Sequence, residues 1–455
     1  MDMFLKPFAR RFTSKTGRGQ ESRIGELENI NIDDGQKREL KERDAYDSLG
    51  FATLIVCRLL GGLSTAGGSV TLGVLADMWQ PDDQEYAIAF LVLSSVGGSV
   101  VGPVIGGFIE SEAALIWVFL VQLIFGISVQ LLHFFTVPET RATLILDREA
   151  KRRRAAGQKN IWGPNEMGKP ALTQREVLKI WFRPFYMLFT EPIVAWLSTV
   201  SGFSDALIFT FLQGFTPVYK KWGFSTIQIG LAFLPLIIGY FLAYLSFLPS
   251  IFYFRRKRAR YGSKSVSPEA RLWWLLFVIP LEAIGLWIFA WTSLGPKYGI
   301  PWIAPMIGTA LVGIANYSIY QSSIDYTVAA YGVYAASATG GNDFARDFLS
   351  GIAALYSTPM FTNIGTKYPN EWAASILALV AMAVTSPIYY FYYNGERIRK
   401  NSKFAARIAQ QREEDAADGE KKGQGGERRV EDIEDDAAAP EFGTSAEKGR
   451  RLGRH

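Results

Sequence analysis

Three ionisable side chains interrupt long apolar runs of this sequence, and they are the residues best placed to do chemistry. Arg58 follows FATLIVC, Asp205 lies in a run from about 185 to 211, and Glu282 stands between LLFVIPL and AIGLWIFAW. A charge inside hydrocarbon is costly, so such residues face a polar interior and mark routes for protons, ions or charged substrates. Asp205 and Glu282 are therefore the candidate proton carriers, whereas Arg58 either serves such a route or extends to the membrane surface.

Apolar runs of roughly 20 residues, each long enough to cross a bilayer as a helix, recur between charged loops. Of the 455 residues, 49% are hydrophobic and 20% are charged. The sequence predicts an all-α integral membrane protein with about nine spanning helices between Phe51 and Lys400.

Composition argues against several other classes of protein. One Cys and two His leave no disulfide framework and no cluster with metal-ligand spacing. No nucleophile with a neighbouring base and no phosphate-binding loop is present, so we expect neither an enzyme nor a bound cofactor. A net charge of +5 is too modest to predict nucleic-acid binding.

Basic blocks set the predicted domain organisation, because cytoplasmic loops are enriched in Lys and Arg. Polar composition predicts disordered tails at both ends of the chain, the second of them cytoplasmic. The predicted segments are a tail at 1–50, a membrane half of three helices at 51–141, a basic cytoplasmic linker at 142–184, a six-helix membrane half at 185–400 and a tail at 401–455.

A glycine-rich motif lies inside the second apolar run. Gly98, Gly102 and Gly106 recur every fourth residue, which places them on one face where a neighbouring helix can approach closely. Pro103 removes one backbone donor and favours a kink, and Gly107 completes the motif. The motif predicts a packed hinge, although small residues at this spacing are also a general device for joining membrane helices.

Polar residues also lie in two later apolar segments. Asn316 falls near the middle of a helix predicted from about Trp302 to Ser323, and Asn342 and Arg346 share one face of the next helix. Asp343 lies three residues before Arg346, so an ion pair within the helix explains this pattern as well as a role in transport does.

Several motifs resemble one family. The pattern GxxxGPxxGG at Gly98–Gly107 resembles the fifth-helix signature of antiporters of the major facilitator superfamily, and Arg58 with Gly62 resembles its fourth-helix RxxxG motif. Asp77 lies in a segment that resembles the cytoplasmic exit of that fourth helix. PEARL at 268–272, followed by GLWIFAWT, resembles the fungal drug:proton antiporters most specifically.

This resemblance implies two six-helix halves that rock around a cavity at the middle of the membrane. It implies efflux of a small organic molecule, such as a drug, toxin or polyamine, in exchange for protons, driven by the proton gradient. Arg58 would couple charge movement to the cycle, and the glycine motif would permit the hinge motion. Asn316, Asn342 and Arg346 would offer polar contacts.

We expect the protein to lie in the plasma membrane, with the vacuolar membrane as the alternative. The oligomeric state stays open.

The resemblance assigns the predicted spans as helices four to twelve of a twelve-helix fold. No apolar run before Phe51 can serve as the first three helices, so we expect a chain truncated relative to the family. The alternative function is accordingly a membrane protein that does not transport, either a remnant or an interaction partner that docks on a full-length relative.

Overall fold

A computed structural model describes most of the membrane region. The predicted tails, apart from residues 401, 402 and 404, and the start of the first span at Phe51 lie outside the described residues. Every regular element in the described part is a helix. The described residues are 52–53, 55–62, 67–79, 84–113, 116–157, 161–167, 174–262, 266–365, 368–402 and 404.

The chain divides into two compact units, Met1–Gly68 and Ser69–His455. In the first unit the described residues 52–53 and 55–62 are helical and exposed. The second unit contains nearly all of the long helices. The principal helices of the chain are α1 (Gly67–Met78), α2 (Gln84–Glu112), α3 (Ile116–Thr136), α4 (Ala142–Ala155), α5 (Gln174–Thr190), α6 (Pro192–Tyr219), α7 (Leu234–Tyr261), α8 (Pro280–Thr292), α9 (Ile303–Tyr331), α10 (Ala335–Asn363), α11 (Pro369–Thr385) and α12 (Pro387–Lys400).

Seven helical segments of the described residues are long and apolar enough to cross a membrane. The equally long α10 carries Asp343, Arg346 and Asp347, so its composition is more polar than that of the seven. The remaining predicted span begins at Phe51 and lies only partly within the described residues. The seven segments are Gln84–Glu112, Ile116–Thr136, Pro192–Trp222, Thr226–Tyr261, Pro268–Thr292, Ile303–Tyr331 and Pro369–Lys400.

Two helix boundaries differ from the sequence-based prediction. The helix predicted from about Phe185 to Phe211 is two helices, α5 and α6, which are separated at Glu191 in an extended conformation. Pro192 causes this break, because proline lacks an N–H and disfavours helical geometry in the residue before it. The helix predicted from Trp302 to Ser323 continues to Tyr331, which places Asp325 inside α9.

Small residues bring the helices of the second half close together. A Cβ atom on Gly285 of α8 would lie 2.6 Å from the Gly308 carbonyl oxygen of α9, and one on Gly202 of α6 would lie 3.0 Å from the Ala345 carbonyl oxygen of α10. These contacts join backbone to backbone, as small residues commonly do between membrane helices. They hold α6, α8, α9 and α10 at a fixed spacing, which positions the polar residues described next.

The two predicted halves of the membrane region differ in how deeply their helices are buried. Most residues of α3 are exposed, and none is buried. By contrast, most residues of α6 are buried. In the core, the rings of Phe211 and Phe215 of α6 pack against the ring of Phe289 of α8. The second predicted half is therefore the well-packed part of the described bundle.

Candidate functional site

Polar side chains of four neighbouring segments lie near the middle of the helix or membrane span that carries each of them. Asp205 stands near the centre of α6, Glu282 near the centre of the span Pro268–Thr292, Asn316 near the centre of α9, and Arg346 in the middle third of α10. We call this set, with the side chains that contact it, the polar layer. All four residues were predicted from sequence, and the structure places them in neighbouring helices.

The strongest contact of the polar layer is an ion pair between α6 and α10. Arg346 Nη2 donates to Asp205 Oδ1 at 2.7 Å, and Ser350 Oγ donates to Asp205 Oδ2 at 2.8 Å. Asp205 is only 7% exposed and Arg346 only 9%. Both carboxylate oxygens are therefore occupied, and each charge compensates the other in a region from which water is largely excluded.

Arg346 is held on its other side by an aromatic ring. Its guanidinium carbon lies 3.5 Å from the centroid of the Tyr320 ring of α9, a close cation–π arrangement. The Tyr320 hydroxyl donates to Asp343 Oδ1 at 3.2 Å. Arg346 thus makes its ion pair with Asp205 of another helix, and Asp343, the partner available within α10, bonds to tyrosine instead.

Glu282 occupies a different environment from Asp205. It is 0% exposed, and neither of its carboxylate oxygens has a hydrogen-bond partner of ordinary geometry among the described residues. The Ser204 hydroxyl of α6 lies close enough to interact with the Glu282 carboxyl group. Ser204 Oγ also accepts a hydrogen bond of 3.1 Å from Asn316 Nδ2. Glu282 is thus a buried carboxyl group that faces neutral polar groups and forms no ion pair in the described part of the chain.

Several buried amides of α9 and α10, the helices that carry Asn316 and Arg346, have unused hydrogen-bonding capacity. Within the described residues, both side-chain polar atoms of Asn342 and of Gln321, and the Oδ1 atom of Asn316, have no partner. Buried polar groups are normally satisfied, so unsatisfied ones in a membrane bundle are candidates to bind water or a substrate. Gln321 was not singled out from the sequence, although it belongs to the polar run SIYQSSIDYT of α9.

Sequence reasoning also missed the supporting residues of the polar layer. Ser204, Tyr320 and Ser350 are ordinary residues of membrane helices, and only their contacts identify them. Ser350 offered one signal, because it lies four residues after Arg346 on the same helical face.

A second network of charges links the two predicted halves. Arg258 Nη1 lies 2.6 Å from Glu85 Oε1, and Arg271 Nη2 lies 3.2 Å from the same oxygen. Arg271 also pairs with Asp325 of α9. Glu85 begins α2 in the first half, whereas the other three residues belong to the second half. Because basic blocks are predicted to mark the cytoplasm, the block that contains Arg258 predicts that this network lies at the cytoplasmic end of the bundle.

The two other residues predicted to act in coupling are Arg58 and Asp77. Arg58 belongs to the first unit, on the helical residues 55–62, and its side chain is exposed. Asp77 lies on α1, and its side chain is outside the described part. Their roles in coupling stay predictions.

Among the described residues, the glycine motif makes a close contact with another segment at its last glycine, Gly107, and not at the three regularly spaced ones. A Cβ atom on Gly98, Gly102 or Gly106 would meet no atom within 4 Å, whereas one on Gly107 would lie 3.2 Å from the Thr226 carbonyl oxygen. The expectation that the regular face packs against a helix backbone is thus not what the described residues show. Pro103 lies inside α2, and its carbonyl oxygen is 2.9 Å from a Cβ built on Gly230.

Comparison with protein families identifies the bundle. Residues 48–354 match the family model described as the Major Facilitator Superfamily. The chain belongs to the Major Facilitator Superfamily. It is similar to the MFS-type transporter paaT of Penicillium rubens, with 32% identity over 364 residues that cover 79% of this chain and 64% of the relative. The predicted membership is confirmed.

Two further relatives carry more specific names. The major facilitator superfamily multidrug transporter FLU1 of Candida albicans is 30% identical over 361 residues, 78% of this chain and 58% of the relative. The probable drug/proton antiporter YHK8 of Saccharomyces cerevisiae is 30% identical over 355 residues, 76% of this chain and 66% of the relative. The chain thus spans less than two thirds of the length of each of the three.

Membership in the superfamily settles the broad class. The superfamily consists of transporters and not of enzymes, and the seven spans among the described residues agree with a multi-pass membrane protein. The superfamily fold also gives the polar layer a context, because substrate and coupling-ion sites of such transporters lie near the middle of the bilayer.

Proposed function

We propose that this protein exports small organic molecules, such as drugs, toxins or polyamines, in exchange for protons. The observation that carries the proposal is the contrast between two buried carboxyl groups of the polar layer. Asp205 is fully paired with Arg346 and Ser350, whereas Glu282 forms no ion pair among the described residues. The names of the relatives FLU1 and YHK8 support the choice of drug and proton as the exchanged species.

Glu282 is the carboxyl group that we assign to proton carriage. A buried carboxylate without a counter-charge is strongly disfavoured, so the protonated form is favoured while the site is closed. Opening the bundle to water on one side stabilises the carboxylate and releases the proton. Asp205 cannot cycle in this way without breaking its ion pair, so it serves to hold Arg346.

The unsatisfied amides of α9 and α10 supply the contacts for the substrate. Asn342, Gln321 and Asn316 offer both donors and acceptors on α9 and α10, the two helices that supply Asn316 and Arg346 to the polar layer. A cationic substrate gains most from the ionised form of Glu282, so substrate and proton compete for one group. Competition of this kind is what an exchange mechanism requires, because each species must leave before the other binds.

Movement between the two access states involves the charge network at the cytoplasmic end. Glu85, Arg258 and Arg271 connect the first predicted half to the second while the cytoplasmic side is closed. Rocking the halves apart separates these groups and exposes them to water, which compensates part of the lost attraction. We place the protein in the plasma membrane, with the vacuolar membrane as the alternative.

The test is efflux of a fluorescent organic cation such as rhodamine 6G from cells that lack their own pumps. We compare the wild-type chain, Glu282→Gln, Glu110→Gln and empty vector, with and without an uncoupler of the proton gradient. Glu110 is the matched control, because it is an exposed glutamate near the end of α2. We expect efflux that the uncoupler abolishes, that Glu110→Gln retains and that Glu282→Gln loses.

A second measurement separates coupling from binding. In vesicles loaded with unlabelled substrate and without a proton gradient, Glu282→Gln should still exchange substrate at raised substrate concentration, because this step needs no proton and the buried amides still contribute to binding. Uncoupler-sensitive efflux by Glu282→Gln equal to that of the wild type would refute the assignment of the proton carrier. Efflux no greater than that of empty vector, with the wild-type protein present in the membrane, would support the non-transporting alternative.

A further inference from the structure

A cavity of about 410 Å³ opens where α5 gives way to α6 and where α12 ends. Its lining includes Glu191, the aromatic rings of Tyr186 and Phe404, and the apolar side chain of Ile398. A volume of this size lies within the range of pockets that hold small organic ligands. The lining combines one acidic group with apolar and aromatic surface.

Glu191 is the unusual member of this lining. It is 4% exposed, and no Lys or Arg forms an ion pair with it in the described part of the chain. Tyr331 donates its hydroxyl to Glu191 Oε2 at 3.2 Å. The N-terminus of α6, which follows directly, favours a negative charge at this position. A buried carboxylate thus lines a cavity with only a neutral partner.

Capping of α6 does not explain this glutamate. Glu191 occupies the residue before the helix, but its side chain accepts no hydrogen bond from the first turn of α6. Pro192 is the first helical residue and has no N–H to offer. The carboxylate is therefore available to a group that enters the cavity.

We propose that this cavity binds an organic cation, with the charged group against Glu191 and the apolar part against Tyr186 and Phe404. The carboxylate supplies the counter-charge, and the aromatic rings attract a cation through their faces. An ammonium group with an aromatic or aliphatic substituent matches this combination of surfaces.

The site faces the cytoplasm and is distinct from the polar layer. The cavity lies beside the end of α12, whose last turn carries Arg397, Arg399 and Lys400, and basic residues mark the cytoplasmic side. Asp205 follows Glu191 by fourteen residues on the same helix, which corresponds to roughly 21 Å along its axis. A small cation in this cavity therefore does not contact the polar layer.

Binding of benzyltrimethylammonium to the purified full chain in nanodiscs of uncharged lipid tests the proposal. Isothermal titration would compare this cation with benzyl alcohol, which has a similar ring but no charge. The variants are Glu191→Gln, which removes the charge, and Asn401→Trp, which fills the cavity mouth. The matched control is Glu396→Gln, since Glu396 is an exposed glutamate that pairs with Lys400. Thermal unfolding of each variant would verify its folding.

We expect Glu191→Gln to weaken binding of the cation by about thirtyfold, as loss of a buried charge partner does. Asn401→Trp should weaken it as well, whereas Glu396→Gln should bind like the wild type. Benzyl alcohol should bind weakly to all four proteins. Equal binding of the cation to Glu191→Gln and the wild type would overturn the proposal. Binding of the cation to Glu282→Gln, a variant of the polar layer, is measured in the same way. Loss of binding in Glu282→Gln but not in Glu191→Gln would also overturn the proposal, because the cation would then occupy the polar layer.

Discussion

The ion pair between Asp205 and Arg346 is the contact on which the polar layer depends. Each charge is compensated by the other, Ser350 donates to the second oxygen of Asp205, and the Tyr320 ring packs against the guanidinium group of Arg346. Such pairs contribute modest net stability when intact, but breaking one leaves an uncompensated charge in a medium of low polarity.

Replacing one member of the pair should therefore cost more than replacing both. We expect Asp205→Asn to lower the free energy of unfolding by about 3–5 kcal/mol, because Arg346 stays charged and buried. Combining Asp205→Asn with Arg346→Gln should recover part of this loss. Thermal unfolding of the purified proteins in detergent measures both effects. A double variant less stable than Asp205→Asn alone would contradict the assigned pairing.

The residues of the polar layer show what sequence can and cannot predict at this scale. Asp205, Glu282 and Arg346 were found because a charge in an apolar run is rare and expensive. Their partners were not found, because Ser204 and Tyr320 are common in membrane helices. The partner of Arg346 is 141 positions away in the chain, and spacing within a helix favoured Asp343 instead.

At the scale of elements, the glycines of α2 divide into two groups. Gly107 packs against the short helix Thr226–Leu231, where Gly230 approaches the backbone of Pro103 and Gly107 itself. Gly98 has open space where a side chain would stand. Sequence predicts only the regular spacing of these residues, and the direction in which a neighbouring helix lies decides which of them is needed.

This difference predicts unequal effects of the same substitution. Gly230→Ala should destabilise the protein, because the new Cβ would lie 2.9 Å from a carbonyl oxygen and the two helices must separate. Gly98→Ala should be neutral or stabilising, since alanine favours a helix over glycine by about 1 kcal/mol. Melting temperatures of the two variants, measured by fluorescence-detected size exclusion, compare them directly. Equal melting temperatures would argue against the close contact.

The boundaries of the helices were predictable to the extent that proline or charge marks them. Arg255–Arg260 and Arg397–Lys400 correctly mark the ends of α7 and α12. The break at Glu191 was missed, although Pro192 signals it, because the apolar run continues across it. That break forms one wall of the proposed cation cavity. The effect of Pro192 on the backbone of Glu191 therefore bears directly on the proposed site.

At the scale of the whole molecule, the network around Glu85 joins the predicted halves at the end that the basic blocks predict to be cytoplasmic. Glu85 is buried and contacts Arg258 and Arg271, which belong to different elements of the second half. Sequence analysis singled out the PEARL motif that contains Arg271 but not Glu85, because the contact between Glu85 and Arg258 spans 173 positions.

Weakening this network should increase opening to the cytoplasm. Ser323 of α9 is buried two residues before Asp325, so a cysteine there reports access to that region. In a Cys57→Ser background, which removes the single native cysteine, we expect Glu85→Gln to increase labelling of Ser323→Cys by a charged maleimide. Glu112→Gln, at the exposed end of α2, serves as the control. Unchanged labelling in Glu85→Gln would contradict a closing role for the network.

The pairing of Asp205 with Arg346 also determines how the protein responds to membrane voltage. One elementary charge that crosses the field gains or loses about 2.3 kcal/mol per 100 mV. Because the two groups bond directly, any displacement of α6 and α10 moves a neutral pair and performs no electrical work through these residues. The membrane voltage then acts instead on the charge that moves at Glu282 in the proposed exchange, because a proton carried across the membrane is itself an elementary charge.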